Sequence, residues 1–371
     1  MESNLLTVVF GFKNRDIQRV KRCLNSLKSQ TYNKFNVIFI DYGSDVSVSK
    51  EISMLVSSFD FCKYIYSDTR GWPWNRSKAL NIGIRQSETK YVMTSDIDLI
   101  FDNYFVERMM EHVGENSAVH ASCYYLPPNF KRWNDLSKLN TTFGAPCKDA
   151  LGLLLLLSKE NYVKVGGFDE YYQFWGVEDR DLEHRLIKSG IKTKWLDLTK
   201  CILYHQWHPI HNNKTFSFMP IGYWEDAELY YGGNIKNVVR NLDDSWGHVV
   251  ARESRPALNL LDKVIAPTSI IKIENSLGAG DVAVKIAESF TSAESGEAIC
   301  LELNYNKPSW FYQLTINFLN RVLSRFKLGF QLSPNRNHGK DIFWQFYKNN
   351  KSSIDDYAIS TNEQFYYFIK K

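Results

Sequence analysis

Apolar positions change period in a regular way along the chain. Leu5-Leu6-Thr7-Val8-Val9-Phe10 is a continuous β-rich run stopped by Gly11, after which Ile17, Val20, Leu24 and Leu27 recur at helical spacing. Phe35 to Ile40 repeats the strand pattern and delivers Asp41 to its carboxyl end. A helix-like stretch over 51–59, a short strand at 64–66, a helix over 77–85 and a strand at 91–94 continue the alternation. Repeated β–α units predict an α/β fold with a mainly parallel sheet flanked by helices, whose ligands gather at the carboxyl ends of the strands. After Asp98 the pattern loosens into loops around Pro127-Pro128 and Pro146, and order returns with the apolar run Leu151 to Leu157, a buried core segment.

A second α/β rhythm begins near residue 251, with strands at 269–273 and 298–303, helices over 281–290 and 310–326, and late strands at 357–360 and 365–369. The organisation predicted is a larger domain over 1–250 and a smaller C-terminal α/β domain over 251–371 of unknown role. The aromatic and polar segment from about 212 to 250 closes the first domain. Trp310 to Phe326, with Arg321, Arg325 and Lys327 interspersed, reads either as the core face of a domain helix or as an interfacial helix in peripheral contact with a membrane. Gly278-Ala279-Gly280 has the look of a phosphate loop but lacks the third glycine and the Lys-Ser/Thr of a P-loop.

Composition narrows the class. The 45 Lys and Arg against 41 Asp and Glu leave a net charge of +4, too weak for nucleic acid as the main partner and suited to an anionic nucleotide ligand. Six cysteines without paired spacing indicate neither a disulfide framework nor a thiolate zinc site, and point to a reducing, cytoplasmic setting. No run of about eighteen apolar residues occurs, so no membrane span is expected. Oligomeric state is not legible.

Three clusters carry chemistry. Asp96-Ile97-Asp98 ends the apolar run from Tyr91 to Thr94; carboxylates one residue apart beyond a strand share a side of the pleat, and oxygen ligands are what Mg²⁺ or Mn²⁺ selects. That pattern suggests a metal–diphosphate clamp. Gly176-Val177-Glu178-Asp179-Arg180-Asp181 is a glycine-bearing turn opening into a helix, which holds a carboxylate rigidly against a reacting hydroxyl as a general base. His205 and His208, three apart beside an apolar run, are metal ligands in that company and structural residues without it.

The ordered set Asn75-Arg76-Ser77-Lys78-Ala79-Leu80-Asn81-Ile82-Gly83, Ser95-Asp96-Ile97-Asp98-Leu99, Gly166-Gly167-Phe168-Asp169-Glu170, Phe174-Trp175-Gly176-Val177-Glu178-Asp179 and His205-Gln206-Trp207-His208 resembles the GT-A glycosyltransferases. It is most similar to the β-1,4-galactosyltransferase type and to bacterial capsule and chondroitin-type family 2 transferases. The resemblance covers residues 5 to 210 and nothing after about 250. It implies a UDP-sugar donor, with Asp41 around the uracil and ribose, Arg76 on the nucleotide side, Asp98 a direct ligand of Mn²⁺ or Mg²⁺, and Asp96 nearer the ribose or sugar. His208 matches the C-terminal metal ligand, while His205 stands where the animal enzymes have methionine. Asp179 takes the place of the base, Glu178 that of its acceptor-binding neighbour, and Trp175 offers an apolar face to the acceptor sugar. Ala150 falls where a tyrosine crowds the donor's C2 substituent in the animal galactosyltransferases, leaving room for GalNAc or GlcNAc as well as Gal.

The function so implied is inverting transfer of a sugar to a glycan or lipid-linked oligosaccharide acceptor in bacterial surface polysaccharide synthesis, such as capsule or O-antigen, at the inner face of the membrane. Two other readings compete. One is a retaining N-acetylgalactosaminyltransferase-like enzyme, which usually carries Glu-Asn where this chain has Glu178-Asp179. The other is a non-catalytic sugar-binding or scaffold protein, against which the intact clusters argue.

Overall fold

A computed structural model describes residues 4–128, 130–131, 145–147, 151–174, 176–197, 201–208, 220, 222–274, 279–304, 338–361 and 364–371, with single positions at 315, 318, 319 and 322. The chain forms two compact units, one comprising residues 1–210 with 225–251, the other 211–224 with 252–371. No helix among the described residues is long and apolar enough to cross a membrane.

In the first unit, chain order runs β1 (Leu6–Phe12), α1 (Ile17–Lys28), β2 (Phe35–Tyr42), α2 (Val46–Ser57), β3 (Cys62–Ser67), α3 (Arg76–Gln86), β4 (Tyr91–Ser95), β5 (Leu99–Phe101) and α4 (Phe105–His112). It continues through β6 (Ser117–Ala121), β7 (Cys123–Tyr125), β8 (Ala145–Cys147), β9 (Leu154–Ser158), α5 (Lys159–Lys164), α6 (Glu178–Lys188), β10 (Lys192–Leu196) and β11 (Leu203–His205) to α7 (Tyr223–Asn234). Seven strands form the main sheet in the order β10-β6-β9-β4-β1-β2-β3. It is parallel except for β9, which runs antiparallel to both β4 and β6. A second sheet, β5-β11-β7-β8, follows the crossing of the chain at Asp98.

Side-chain alternation explains why helices cover both faces. Val8, Phe10 and Phe12 of β1 pack with Val20, Leu24 and Leu27 of α1, while Val9, between them, faces Ala79, Leu80, Ile82 and Ile84 of α3. Of the apolar run predicted as core, Leu153 to Leu157 are buried and enter β9, whereas Leu151 at its start is exposed. Sequence periodicity missed the first turn of α2, which begins at Val46 rather than 51. Its fully buried anchors are Ile52 and Val56, and the first turn, with Val46 exposed and Val48 half-buried, continues their spacing only weakly. It also read loops where β5, α4, β6 and β7 stand; β5 and β7, three residues each, are too short to show a period, and α4 and β6 are short elements of eight and five residues.

Of the helices at the site, α1 and α3 begin at side-chain caps, while α6 has none. Asp16 accepts from the amide of Gln18 at 2.8 Å before α1, and Asn75 accepts from Lys78 at 2.8 Å before α3. The second unit contains α8 (Ala257–Leu261), β12 (Ser269–Glu274), α9 (Ala279–Ser292), β13 (Ala298–Asn304), α10 (His338–Asn350), β14 (Ile354–Ile359) and β15 (Phe365–Lys370). Its sheet order is β12-β13-β15-β14, and a buried Arg255–Asp356 ion pair at 2.8 Å ties the entry of α8 to β14. The glycine loop at 278–280 and the helix read over 310–326 fall largely outside the described residues, and Ala279 and Gly280 already belong to α9.

Gly83 in α3 sits so close to β1 that an added Cβ would come within 2.2 Å of Val9 Cγ1. Val9 is buried and stiff at χ1, so the helix itself must move. Alanine gains about 1 kcal/mol of helix propensity there, against overpacking of roughly 1–3 kcal/mol, whose upper end fits so short an approach. Gly83→Ala is expected to lower the thermal midpoint; an unchanged or higher midpoint by calorimetry would refute this packing account.

Candidate active site

Asp96 and Asp98 leave the carboxyl end of β4 and turn to different partners. The Asp96 amide donates to Leu153 O at 2.9 Å, which anchors it to the start of β9. Its carboxylate pairs with Arg76 Nε at 3.1 Å. Asp98 is held by the second sheet, where Gln206 N donates to Asp98 O at 2.9 Å and His205 stands opposite Leu99 in the β5–β11 pairing. Its carboxylate lies 3.5 Å from His205 Nε2 and 3.2 Å from His208 Nε2.

Asp98, His205 and His208 offer one ligand atom each within 4.8 Å of one another, the one such group of three among the described residues. Burial acts against the Asp98 anion, but the hydrogen bond from His208 and the nearby imidazoles hold its carboxyl below the usual range. Burial lowers His205 in turn, favouring the neutral imidazole that a metal requires. Asp98 Oδ1 and His205 Nδ1 are buried without a hydrogen-bond partner among the described residues. An unsatisfied carboxylate oxygen beside two imidazoles fits a divalent transition-metal cation.

Arg76, the first residue of α3, reaches across to the other cluster. Its Nη1 lies 2.8 Å from Asp179 Oδ1, its Nε bonds Asp96, and its Nη2 donates to Gly152 O. Burial alone would lower the guanidinium, yet the Asp179 and Asp96 charges outweigh it and hold Arg76 above its ordinary value. Gly152 has φ +95°, and a Cβ there would fall 2.2 Å from Asp179 Oδ2. Glycine at 152 therefore leaves the space that the Asp179 carboxylate occupies.

Glu178 and Asp179 open α6 after a run of left-handed backbone, Phe174 at φ 60°, Gly176 at 99° and Val177 at 75°. Glu178 is buried, and its Oε2 has no hydrogen-bond partner among the described residues. Burial, reinforced by the Asp179 charge, pushes its carboxyl up to about 8.

The remaining candidates fall differently. Asp41, at the end of β2, is wholly buried, with Oδ1 accepting from Ser44 N and Oδ2 from Tyr64 OH, both at 2.8 Å. Each of its oxygens thus has a partner within the protein. Trp175 and Ala150 lie outside the described residues. Sequence reading passed over the role of Asp169, Asp181, Arg185 and Arg240, which form one buried ion-pair network beneath α6. Arg185 four residues after Asp181 was the available signal, an i,i+4 pair on a face otherwise made of leucines.

With the geometry in place, the comparisons are specific. Residues 7–162 match the family described as Glycosyl transferase family 2, and residues 138–209 match the N-terminal domain of galactosyltransferase. Human Beta-1,4-galactosyltransferase 6 is 26% identical over 132 residues, 35% of this chain and 31% of that protein. Human Beta-1,4-galactosyltransferase 1 is 27% identical over 136 residues, 36% of this chain and 30% of that protein. The chain therefore spans about a third of the length of these curated relatives. A solved mannosyltransferase from Pyrobaculum calidifontis, in complex with GDP-Man and Mn²⁺, aligns at 16% identity with a TM-score of 0.41 over 54% of this chain and 57% of that one. Residues 7–209 are a glycosyltransferase domain of the GT-A fold, as the motif set implied.

A carboxyl raised from 4.5 to about 8 makes the folded state bind an extra proton across that window. Stability is then greatest below the unfolded value and is lost as pH rises toward 8. Glu178→Gln should flatten the fall of the thermal midpoint between pH 5 and about 8; an unaltered slope in the variant would show that Glu178 is ionised in the folded protein.

Proposed function

We propose that the chain is an inverting, metal-dependent glycosyltransferase that moves GalNAc, GlcNAc or Gal from a UDP-sugar to a hydroxyl of a glycan or lipid-linked oligosaccharide. The observation that carries this reading is the meeting of two clusters at the Asp96-Ile97-Asp98 turn: Asp98 joins the His205 and His208 imidazoles, and Asp96 is linked through Arg76 to Asp179 in the first turn of α6. The family matches over residues 7–209 support sugar transfer as the chemistry.

Asp98, His205 and His208 would hold Mn²⁺, or Mg²⁺ in its place. When bound, such an ion neutralises charge on the leaving diphosphate. Asp96 and Arg76 face the donor's sugar and ribose side. Asp179 accepts the proton of the acceptor hydroxyl as that oxygen forms a bond to C1 and the C1–O bond to UDP breaks, which inverts the anomeric centre. Arg76 and the space at Gly152 fix the carboxylate's position for that transfer. Glu178, protonated at neutral pH, presents an O–H to the acceptor and so orients it beside the base. Cys23, Cys62, Cys201 and Cys300 are free thiols, which supports work in a reducing compartment such as the bacterial cytoplasm, on surface-polysaccharide intermediates.

Asp98→Ala and EDTA are each expected to abolish transfer and to weaken UDP binding measured by calorimetry with Mn²⁺. Affinity indifferent to both treatments would dismiss the triad as a metal site. Asp179→Asn keeps the shape and removes the proton acceptor, so rate should fall on the order of 10²–10⁴-fold with UDP affinity near normal. A product with retained anomeric configuration by NMR would rule Asp179 out as an inverting base.

A further inference from the structure

The segment 225–251 returns to the first unit after the second has begun, and neither family match reaches it. It wraps the loop that precedes α6. Arg240 N donates to Val165 O at 3.1 Å, and Asn241, itself left-handed at φ 50°, donates Nδ2 to Gly166 O and Phe168 O at 2.7 Å each. Gly166 admits this contact because a Cβ there would lie 2.0 Å from Arg240 O. Gly247 N closes the wrap on Glu170 Oε1 at 2.7 Å.

Inside the wrap, the Arg240 guanidinium joins two buried carboxylates on different segments. Its Nη2 bonds Asp181 Oδ1 at 2.7 Å, and its Nε lies 2.9 Å from Asp169 Oδ2. Its Nη1 and Nη2 also donate to Asn237 O and Asn234 O, at 2.7 and 3.1 Å. Arg185 Nε takes the second oxygen of Asp181 at 2.8 Å and turns its other nitrogens to Val165 O and Gly167 O. Two cations thus meet two anions at side chains no more than 5% exposed, with Arg240 paired to Asp169 by charge and proximity and to Asp181 by a hydrogen bond. Asp181 is in the first turn of α6, two residues beyond Asp179.

We propose that Arg240 is a positioning residue for transfer: it clamps the first turn of α6 to the Gly166–Asp169 loop and thereby fixes the direction of the Asp179 carboxylate. The inference rests on Asp179 acting as the base. Arg240's own bonds reach none of β4, α3 and β11, which carry the donor side, while the loop it clamps meets α3 through Phe168 and Glu170 on Asn75 and Asn81. Loss of Arg240 is therefore expected to fall more on chemistry than on donor binding. A lysine has one charge and no fork, and cannot span both carboxylates.

The test uses the full chain and two readouts. Arg240→Met should lower kcat about 10- to 100-fold, the scale of a misplaced reacting group, with donor KM and Mn²⁺-dependent UDP affinity within about twofold. Amide hydrogen exchange should rise over 178–183 while β4 stays protected. Arg240→Lys should show the same pattern in weaker form, and decides the matter if the methionine variant does not fold. Wild-type kcat and wild-type exchange in either folded variant would overturn the proposal, as would a loss confined to donor KM. If the wild-type chain itself transfers from no donor, the transferase reading fails, and the exchange at 178–183 alone still shows whether Arg240 clamps α6.

Discussion

One cation organises the site. Asp96, Glu178 and Asp179 come from two ends of the fold, and three carboxyl groups at close quarters repel unless something opposes them. Arg76 stands among them, bonded to Asp96 and Asp179 and to the carbonyl of Gly152. It is delivered by the first turn of α3, whose start is fixed by the Asn75 cap, and α3 is pressed onto β1 through Gly83. The packing of a helix on a strand therefore sets where a guanidinium sits, and the guanidinium sets where two acids sit. Arginine suits the position because its planar fork reaches three acceptors at once, which an ammonium on a flexible stem does not.

The same arrangement separates two duties that the sequence places one residue apart. Buried Ile97 turns the chain between the two acids. Asp96 stays with the main sheet through Leu153, while Asp98 passes to the second sheet through Gln206. Gln206 is itself buried and tied to α1, accepting from Arg22 and donating to Arg19 O. The imidazoles thus belong to the second sheet and Asp179 to α6, and the two clusters meet at the D-x-D turn, where Arg76 links Asp96 to Asp179.

How much was legible follows from which forces are local. The strand–helix alternation through β4 was readable because each element has its own apolar period, and the GT-A resemblance was readable because its motifs keep their order. The Asp98–His205–His208 meeting was suggested by residue type and by the resemblance, not by periodicity; a β5–β11 pairing across a hundred residues brings it about, and three-residue strands leave no periodic trace. Asp41 was placed at a strand's carboxyl end by periodicity, and its bonds to Tyr64 and Ser44 had no sequence signal. Arg240 was invisible for a similar reason. Its partners lie about sixty and seventy residues upstream, and a single arginine in a polar segment has no local signature.

The start of α6 shows which physical effect governs the reacting end. A helix N-terminus favours anions, and three acids fill this first turn. That dipole is worth about 0.3–1 kcal/mol, less than one pH unit, whereas burial carries Glu178 from 4.5 to about 8. Burial wins at Glu178, and Asp179, beside it, is the one paired with Arg76. Neighbouring acids are thereby made unlike, one a donor and one an acceptor. The left-handed residues Phe174 and Val177, each costing on the order of 1–3 kcal/mol, are what turn Glu178 inward, and such strain persists only where surrounding contacts over-determine it. Phe174 N bonded to Trp74 O on one side, and Asp181 locked by two arginines on the other, supply those contacts. The difference between the two acids is therefore held by groups that never touch a substrate.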